Sequence, residues 1–147
     1  MNIDEKNKSY IETFQALADP ESQWSYLTER GLHWEVSEEI RKCDWKIGGC
    51  RTAIWFKRYK YQEKVYFTGD SESLLVKGAL AILHDIYNGC VIMEARRCAP
   101  DFIDSIADEV LYPEIKQNGI RKCYLQIADL DDETEKEERE NEVRNGC

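Results

Sequence analysis

The residues of this chain best suited to chemistry lie in "KIGGCRTAIWF", Lys46 to Phe56. Cys50 follows Gly48 and Gly49 and precedes Arg51, Thr52 and an apolar run that reads as a strand. A cysteine reacts as its thiolate, and an unperturbed thiol has a pKa of about 8.5. Cationic side chains such as Lys46 and Arg51, and the free N–H groups of the two glycines, favour the charged form. Bare glycine backbone also leaves room for a partner to approach. One reading is thus a nucleophilic thiol presented for chemistry. Taken alone, Gly48-Gly49 describes a tight turn equally well.

The other reactive side chains form weaker patterns. The six cysteines are Cys43, Cys50, Cys90, Cys98, Cys123 and Cys147. No CxxC occurs, so neither a zinc ribbon nor a thioredoxin-type motif is supported. Cys43, Cys90, Cys98 and Cys123 read as buried or incidental thiols, and Cys147 as an exposed terminal one. His33 and His84 lack a visible catalytic partner and read as structural. Asp70, Ser71 and Glu72 suit a helix start, with a direct partner contact as the other reading. Lys77 reads as a solvated helix lysine. Two specific uses of the Cys50 thiol stay open. One is a metal or cluster scaffold using Cys50 with Cys43 and Asp70. The other is a redox pair of Cys50 with Cys43.

Composition bounds these readings. The chain has 147 residues, enough for one domain with one sizeable core. Its formal net charge is −9. Residues 129–147 hold nine acids and three bases, so the tail carries −6 of that total. An acidic chain lacks the basic footprint of nucleic-acid binding. No apolar run approaches the ~20 residues that span a bilayer, and the charged N-terminus is not a secretory signal. The expected setting is cytoplasmic, without nucleic acid or membrane as partner.

The elements that must position Cys50 follow from periodicity. Tyr10, Phe14 and Leu17, with Ile11 and Ala18 beside them, predict a first helix. Asp19 caps a second, with Pro20 in its first turn, Trp24 and Leu27 as its apolar stripe and Gly31 at its end. A long connection, with room for a helical turn, leads to Lys46. The aromatic and β-branched runs around "RYKYQEK" predict a hairpin, and no Asn-Gly marks its turn. Asp70 or Ser71 is expected to cap a central helix with Glu72 in its first turn. Leu75, Ala79, Ile82, Leu83 and Ile86 form its apolar face, and Gly89 stops it. Gly78 in mid-helix implies that another backbone passes close by. Phe102, Ile103 and Ile106, then Ile120, Cys123, Tyr124 and Ile127, predict a helical last third. The fold class is α+β, a small antiparallel sheet packed against several helices, over residues 1–128. Residues 129–147 read as an acidic, flexible tail.

Two linked stretches carry a family resemblance. "IGGCRTAIWF", followed after a hairpin by "GDSESLLVKGALAIL", resembles the SufE family of sulfur acceptors. Gly49, Cys50, Ile54 and Trp55 fall on the first family motif, where Thr52 replaces a serine. Gly69, Asp70, Ser71, Glu72, Val76, Lys77 and Gly78 fall on the second. The order and spacing of the two agree with the family. Before the last helix, family members usually read Leu-(Thr/Ser)-Pro-Ser-Arg-x-x-Gly-Leu. Here "LYPEIKQNGI", Leu111 to Ile120, is one residue longer and carries Lys116 near the arginine's place.

The resemblance implies a fold similar to that of IscU-type scaffolds. It also implies a carrier that takes persulfide sulfur on Cys50 from a pyridoxal-phosphate-dependent cysteine desulfurase, SufS-like. That sulfur would pass to an iron–sulfur scaffold, SufBCD-like. The protein would need no resident cofactor beyond a transient persulfide on Cys50. It would have no stand-alone activity and would serve as an accessory to the desulfurase. Gly48, Gly49, Arg51, Thr52, Asp70, Glu72, Lys77 and Lys116 are the expected supporting or partner-contact residues. The glycines are expected to act as hinges, letting the Cys50 segment fold against the Leu74–Tyr87 helix and evert on docking.

Overall fold

Asn2 starts α1 (Ile3–Ala16) by accepting the Glu5 N–H at 2.8 Å. The structure, a computed structural model, describes residues 1–48 and 51–130, apart from the Cys43 side chain. Gly49, Cys50 and the tail from residue 131 lie outside the described residues. Asp19 caps α2 (Pro20–His33) as predicted, accepting the Ser22 N–H. Two expectations about α2 need correction. Gly31 lies inside the helix rather than at its end, and Trp24 is half exposed while Leu27 is fully buried.

The reason lies in how α2 meets α3 (Leu74–Tyr87). A Cβ on Gly31 would lie 2.3 Å from the Leu74 carbonyl oxygen, and one on Gly78 would lie 2.1 Å from that of Leu27. The two backbones touch through glycine on both helices. This is the close passage that Gly78 implied. Gly31 serves packing, and Trp24, one turn before Leu27, is left facing water.

The hairpin is β1 (Ile54–Tyr61) and β2 (Lys64–Ser71), antiparallel, with Trp55 opposite Asp70 and Ile54 opposite Ser71. Its turn is Gln62-Glu63, with φ of 50° and 63°. Two central residues in the left-handed region match the type I′ geometry that suits strand twist. The turn therefore uses residues that sequence rules do not mark. The long connection contains two 3₁₀ turns, Glu38–Ile40 and Cys43–Trp45. Lys46 forms an isolated bridge to Trp55, extending the sheet by one residue.

Ser73, not Asp70 or Ser71, caps α3 by accepting the Val76 N–H. Asp70 and Ser71 are the last residues of β2, and Glu72 precedes the helix instead of lying in its first turn. Val76, Ala79, Leu80, Ile82, Leu83, Ile86 and Tyr87 of α3 are buried in the main core. Gly89, with φ of 82°, follows the helix end and donates to the Val65 carbonyl.

The last third is α4 (Ile92–Arg97), a 3₁₀ turn Asp101–Ser105, α5 (Pro113–Ile115), a π-helical stretch Lys116–Ile120 and α6 (Arg121–Ala128). Phe102, Ile103, Ile106, Ile120, Cys123, Tyr124 and Ile127 all enter the core. Packing continues through Leu130, which is fully buried, and Arg96 donates to the carbonyls of Ala128 and Leu130. The α+β class read from the sequence is the class observed.

Gly78→Ala tests the helix contact. Alanine gains about 1 kcal/mol of helix propensity, yet forcing a methyl against the Leu27 carbonyl costs about 1–3 kcal/mol or more. Net destabilisation is expected, read as a lower urea midpoint at unchanged m-value.

Candidate functional site

The segment that carries Cys50 leaves the sheet at Ile47 and rejoins it at Ile54. The Ile47 N–H donates to the Ile54 carbonyl at 2.8 Å, and both side chains are buried. This pair closes the base of the segment. Above it Gly48 and Arg51 are exposed, while Thr52 and Ala53 are partly buried. Each end is tied by a side chain. The Ser71 hydroxyl donates to the Ala53 carbonyl at 2.7 Å. On the other side, Lys122 Nζ of α6 donates to the Gly48 carbonyl at 2.9 Å.

Beside this base sits a buried carboxylate. Asp70 is 2% exposed. Its Oδ2 accepts from Arg41 Nε at 2.7 Å, and its Oδ1 lies 3.6 Å from Lys77 Nζ and accepts the Ser71 N–H at 2.8 Å. Arg41 also lies over the Trp55 ring, 4.9 Å from its centroid. The hydrogen bond to Asp70 pushes the Arg41 guanidinium above its ordinary pKa, so it stays charged. Asp70 thus joins the connection, both strands and α3. Lys77, read as solvated, is instead an ion-pair partner of Asp70. Glu72 is exposed next to this cluster.

Lys116 faces inward. It is 6% exposed and its Nζ donates to the Ile106 carbonyl and, at 2.8 Å, to Asp108. It ties the π-helical stretch to the preceding loop and presents almost no surface to a partner.

The structure therefore joins Asp70 to Lys77 beside Ser71, which ties Ala53 at one end of the segment, while Lys122 ties Gly48 at the other. Arg51 is exposed and Thr52 partly buried just ahead of Ala53. Lys116 is not part of that group. Gly49 and Cys50 themselves, and the hinge motion expected of the glycines, lie outside the described residues. So does the Cys43 side chain, and with it the Cys43–Cys50 redox pair. Arg41 and Lys122 were not legible beforehand. They lie 29 and 74 residues from their partners Asp70 and Gly48, with no local motif to mark them.

Other reactive groups are held quiet. Burial pushes the thiols of Cys90 and Cys98 up to about 11. His84 is packed between Trp34 and Phe67, and burial lowers its pKa. Among the described residues, no group of three His, Cys, Asp or Glu side chains is placed to hold a metal ion. Asp70 is already engaged by two cations.

A family model described as SufE, Fe-S metabolism associated domain, matches residues 8–131. The chain belongs to the SufE family. Iron–sulfur metabolism is therefore the setting in which it works. A SufE-like protein of Synechocystis is 31% identical over 115 residues, covering 78% of this chain and 72% of that protein. The cysteine desulfuration protein SufE of Wigglesworthia glossinidia brevipalpis is 31% identical over 96 residues, or 64% and 67% of the two chains. A chloroplastic/mitochondrial SufE-like protein of Arabidopsis thaliana is 24% identical over 117 residues, and the match spans 32% of its length. Among the described residues, no helix of this SufE domain is long and apolar enough to cross a membrane.

Two measurements follow. Asp70→Asn leaves Arg41 and Lys77 facing a neutral amide. Both cations retain some access to water, so the expected loss of stability is about 1–3 kcal/mol, seen in urea unfolding. Cys90 and Cys98 are neutral thiols in the native protein at pH 8. Peptide mapping after brief iodoacetamide treatment should leave both unmodified until urea is added. Because their folded pKa values are raised, the stability they contribute is complete below about pH 9 and is lost as pH rises towards 11.

Proposed function

We propose that this protein accepts sulfane sulfur on Cys50 from a pyridoxal-phosphate-dependent cysteine desulfurase, SufS-like, and hands it to a SufBCD-like iron–sulfur scaffold. The observation that carries this reading is the family match running across both motifs. Around it, the β1–β2 register sets Trp55 of the first motif against Asp70 of the second. The exposure of Gly48 and Arg51, on either side of Gly49-Cys50, supports approach by a partner.

The transfer needs no outside oxidant or reductant. The Cys50 thiolate attacks the terminal sulfur of the desulfurase persulfide. The S–S bond of the donor breaks as a new S–S bond forms on Cys50, and the donor cysteine leaves as its thiolate. The terminal sulfur keeps its proton, so Cys50 ends as Cys–S–SH. Exposed Lys46 and Arg51 add positive charge near Cys50 in the chain, which favours the attacking thiolate. No resident cofactor takes part in this step, and the protein acts as an accessory, without turnover of its own. The scaffold reading is less favoured, because Asp70 would have to abandon Arg41 and Lys77 to bind a metal.

Intact mass spectrometry after incubation with a desulfurase and cysteine tests the proposal. A gain of one sulfur atom is expected in the wild-type protein, reversed by dithiothreitol and abolished in Cys50→Ser. No gain in the wild type, or an equal gain in the serine variant, would reject it.

A further inference from the structure

We infer that Lys122 is a positioning residue for sulfur acceptance, fixing the backbone that leads into Cys50; this rests on the function proposed above. Its Nζ donates to the Gly48 carbonyl at 2.9 Å, two residues before Cys50 in the chain. Gly48 is exposed, and among the described residues nothing but its chain neighbours lies within 4 Å of where a Cβ would stand. The Lys122 hydrogen bond therefore adds a polar tie to a peptide otherwise held through its neighbour Ile47.

The post that carries the tether is rigid. Cys123 and Tyr124, the next two residues of α6, are buried, and the Tyr124 hydroxyl donates to the Ala95 carbonyl at 2.8 Å. Arg121, on the other side, donates to Asp104 at 2.5 Å. The Lys122 ammonium therefore reaches out from a helix turn anchored mainly by the buried Cys123 and Tyr124. The opposite end of the segment has its own tie, the Ser71 hydroxyl on the Ala53 carbonyl. Two ties, one from β2 and one from α6, hold the described residues on either side of Gly49-Cys50, at Ala53 and Gly48. Backbone already held beside a docking site loses less conformational freedom when a partner binds. The charge on Lys122 strengthens its hydrogen bond to the carbonyl. Arginine keeps the charge and the donors, whereas methionine keeps only the length.

The test compares wild type, Lys122→Met and Lys122→Arg in two measurements. In a sulfur-transfer assay with a cysteine desulfurase, Lys122→Met should raise the half-saturating concentration of this protein about three- to tenfold, more than it lowers the maximal rate. Lys122→Arg should restore most of the loss. In hydrogen exchange without desulfurase, the peptide covering residues 47–53 should exchange about three- to tenfold faster in Lys122→Met and at nearly the wild-type rate in Lys122→Arg. Equal half-saturation and exchange in all three proteins would overturn the inference, as would tighter half-saturation in Lys122→Met. If the wild type takes no sulfur at all, the proposed function fails, while the exchange measurement still decides whether Lys122 fixes this backbone.

Discussion

The buried carboxylate of Asp70 is the junction on which the arrangement of the connection, the hairpin and the start of α3 depends. A carboxylate that is 2% exposed is tolerable only with its charge compensated and its lone pairs occupied. Arg41, Lys77 and the Ser71 amide provide this. Each comes from a different part of the chain, so satisfying one charge fixes three directions at once. The connection is drawn in by Arg41, which also covers Trp55 of β1. The start of α3 is held by Lys77. The end of β2 turns so that Ser71 can reach across to the Ala53 carbonyl. The second family motif thus has a physical meaning: it builds the wall against which the first motif is mounted.

The scaffold behind that wall is made stiff by backbone proximity. α2 and α3 approach so closely that glycine is required on both sides, and α3 buries most of its surface. Helices at such a distance have little freedom to slide, because any shift drives a side chain into a carbonyl. What this part of the fold supplies to sulfur chemistry is a fixed frame. The exposed residues next to Cys50 sit at the edge of this frame.

Much of this was readable from residue order. The central helix, its stop at Gly89, the close passage at Gly78, the hairpin and the helical last third follow from periodicity and from where glycine and proline stand. The misreadings share one cause. Asp70 and Ser71 look like cap residues, yet Ser73 makes the cap, because Asp70 is engaged by Lys77 of its own motif and by Arg41, 29 residues away. Gly31 looks like a terminator, yet it is spent on helix packing. Gln62-Glu63 falls within the stretch expected to hold the turn, but neither residue type marks it, and both take left-handed φ to match the twist. Nothing local marks Arg41 and Lys122, because their importance arises from contacts across the fold. Composition and spacing record neighbours along the chain, and these are neighbours in space.

The π-helical stretch at Lys116–Ile120 carries a consequence for how this chain can vary. An i→i+5 bond encloses one more residue than an i→i+4 bond, so a single added residue can be absorbed there while the helix continues in the same direction. The segment Leu111–Ile120, which reads as one residue longer than the family pattern, contains this bulge. Cys123, Tyr124 and Ile127 stay keyed into the core. Each residue gained in such a bulge turns the positions ahead of it by about 100° around the axis; here Tyr112 and Glu114 ahead of the bulge are exposed, while Lys116 at its start is buried. The outer face of this helical run can therefore be re-aimed by a change in length alone, leaving the interior undisturbed.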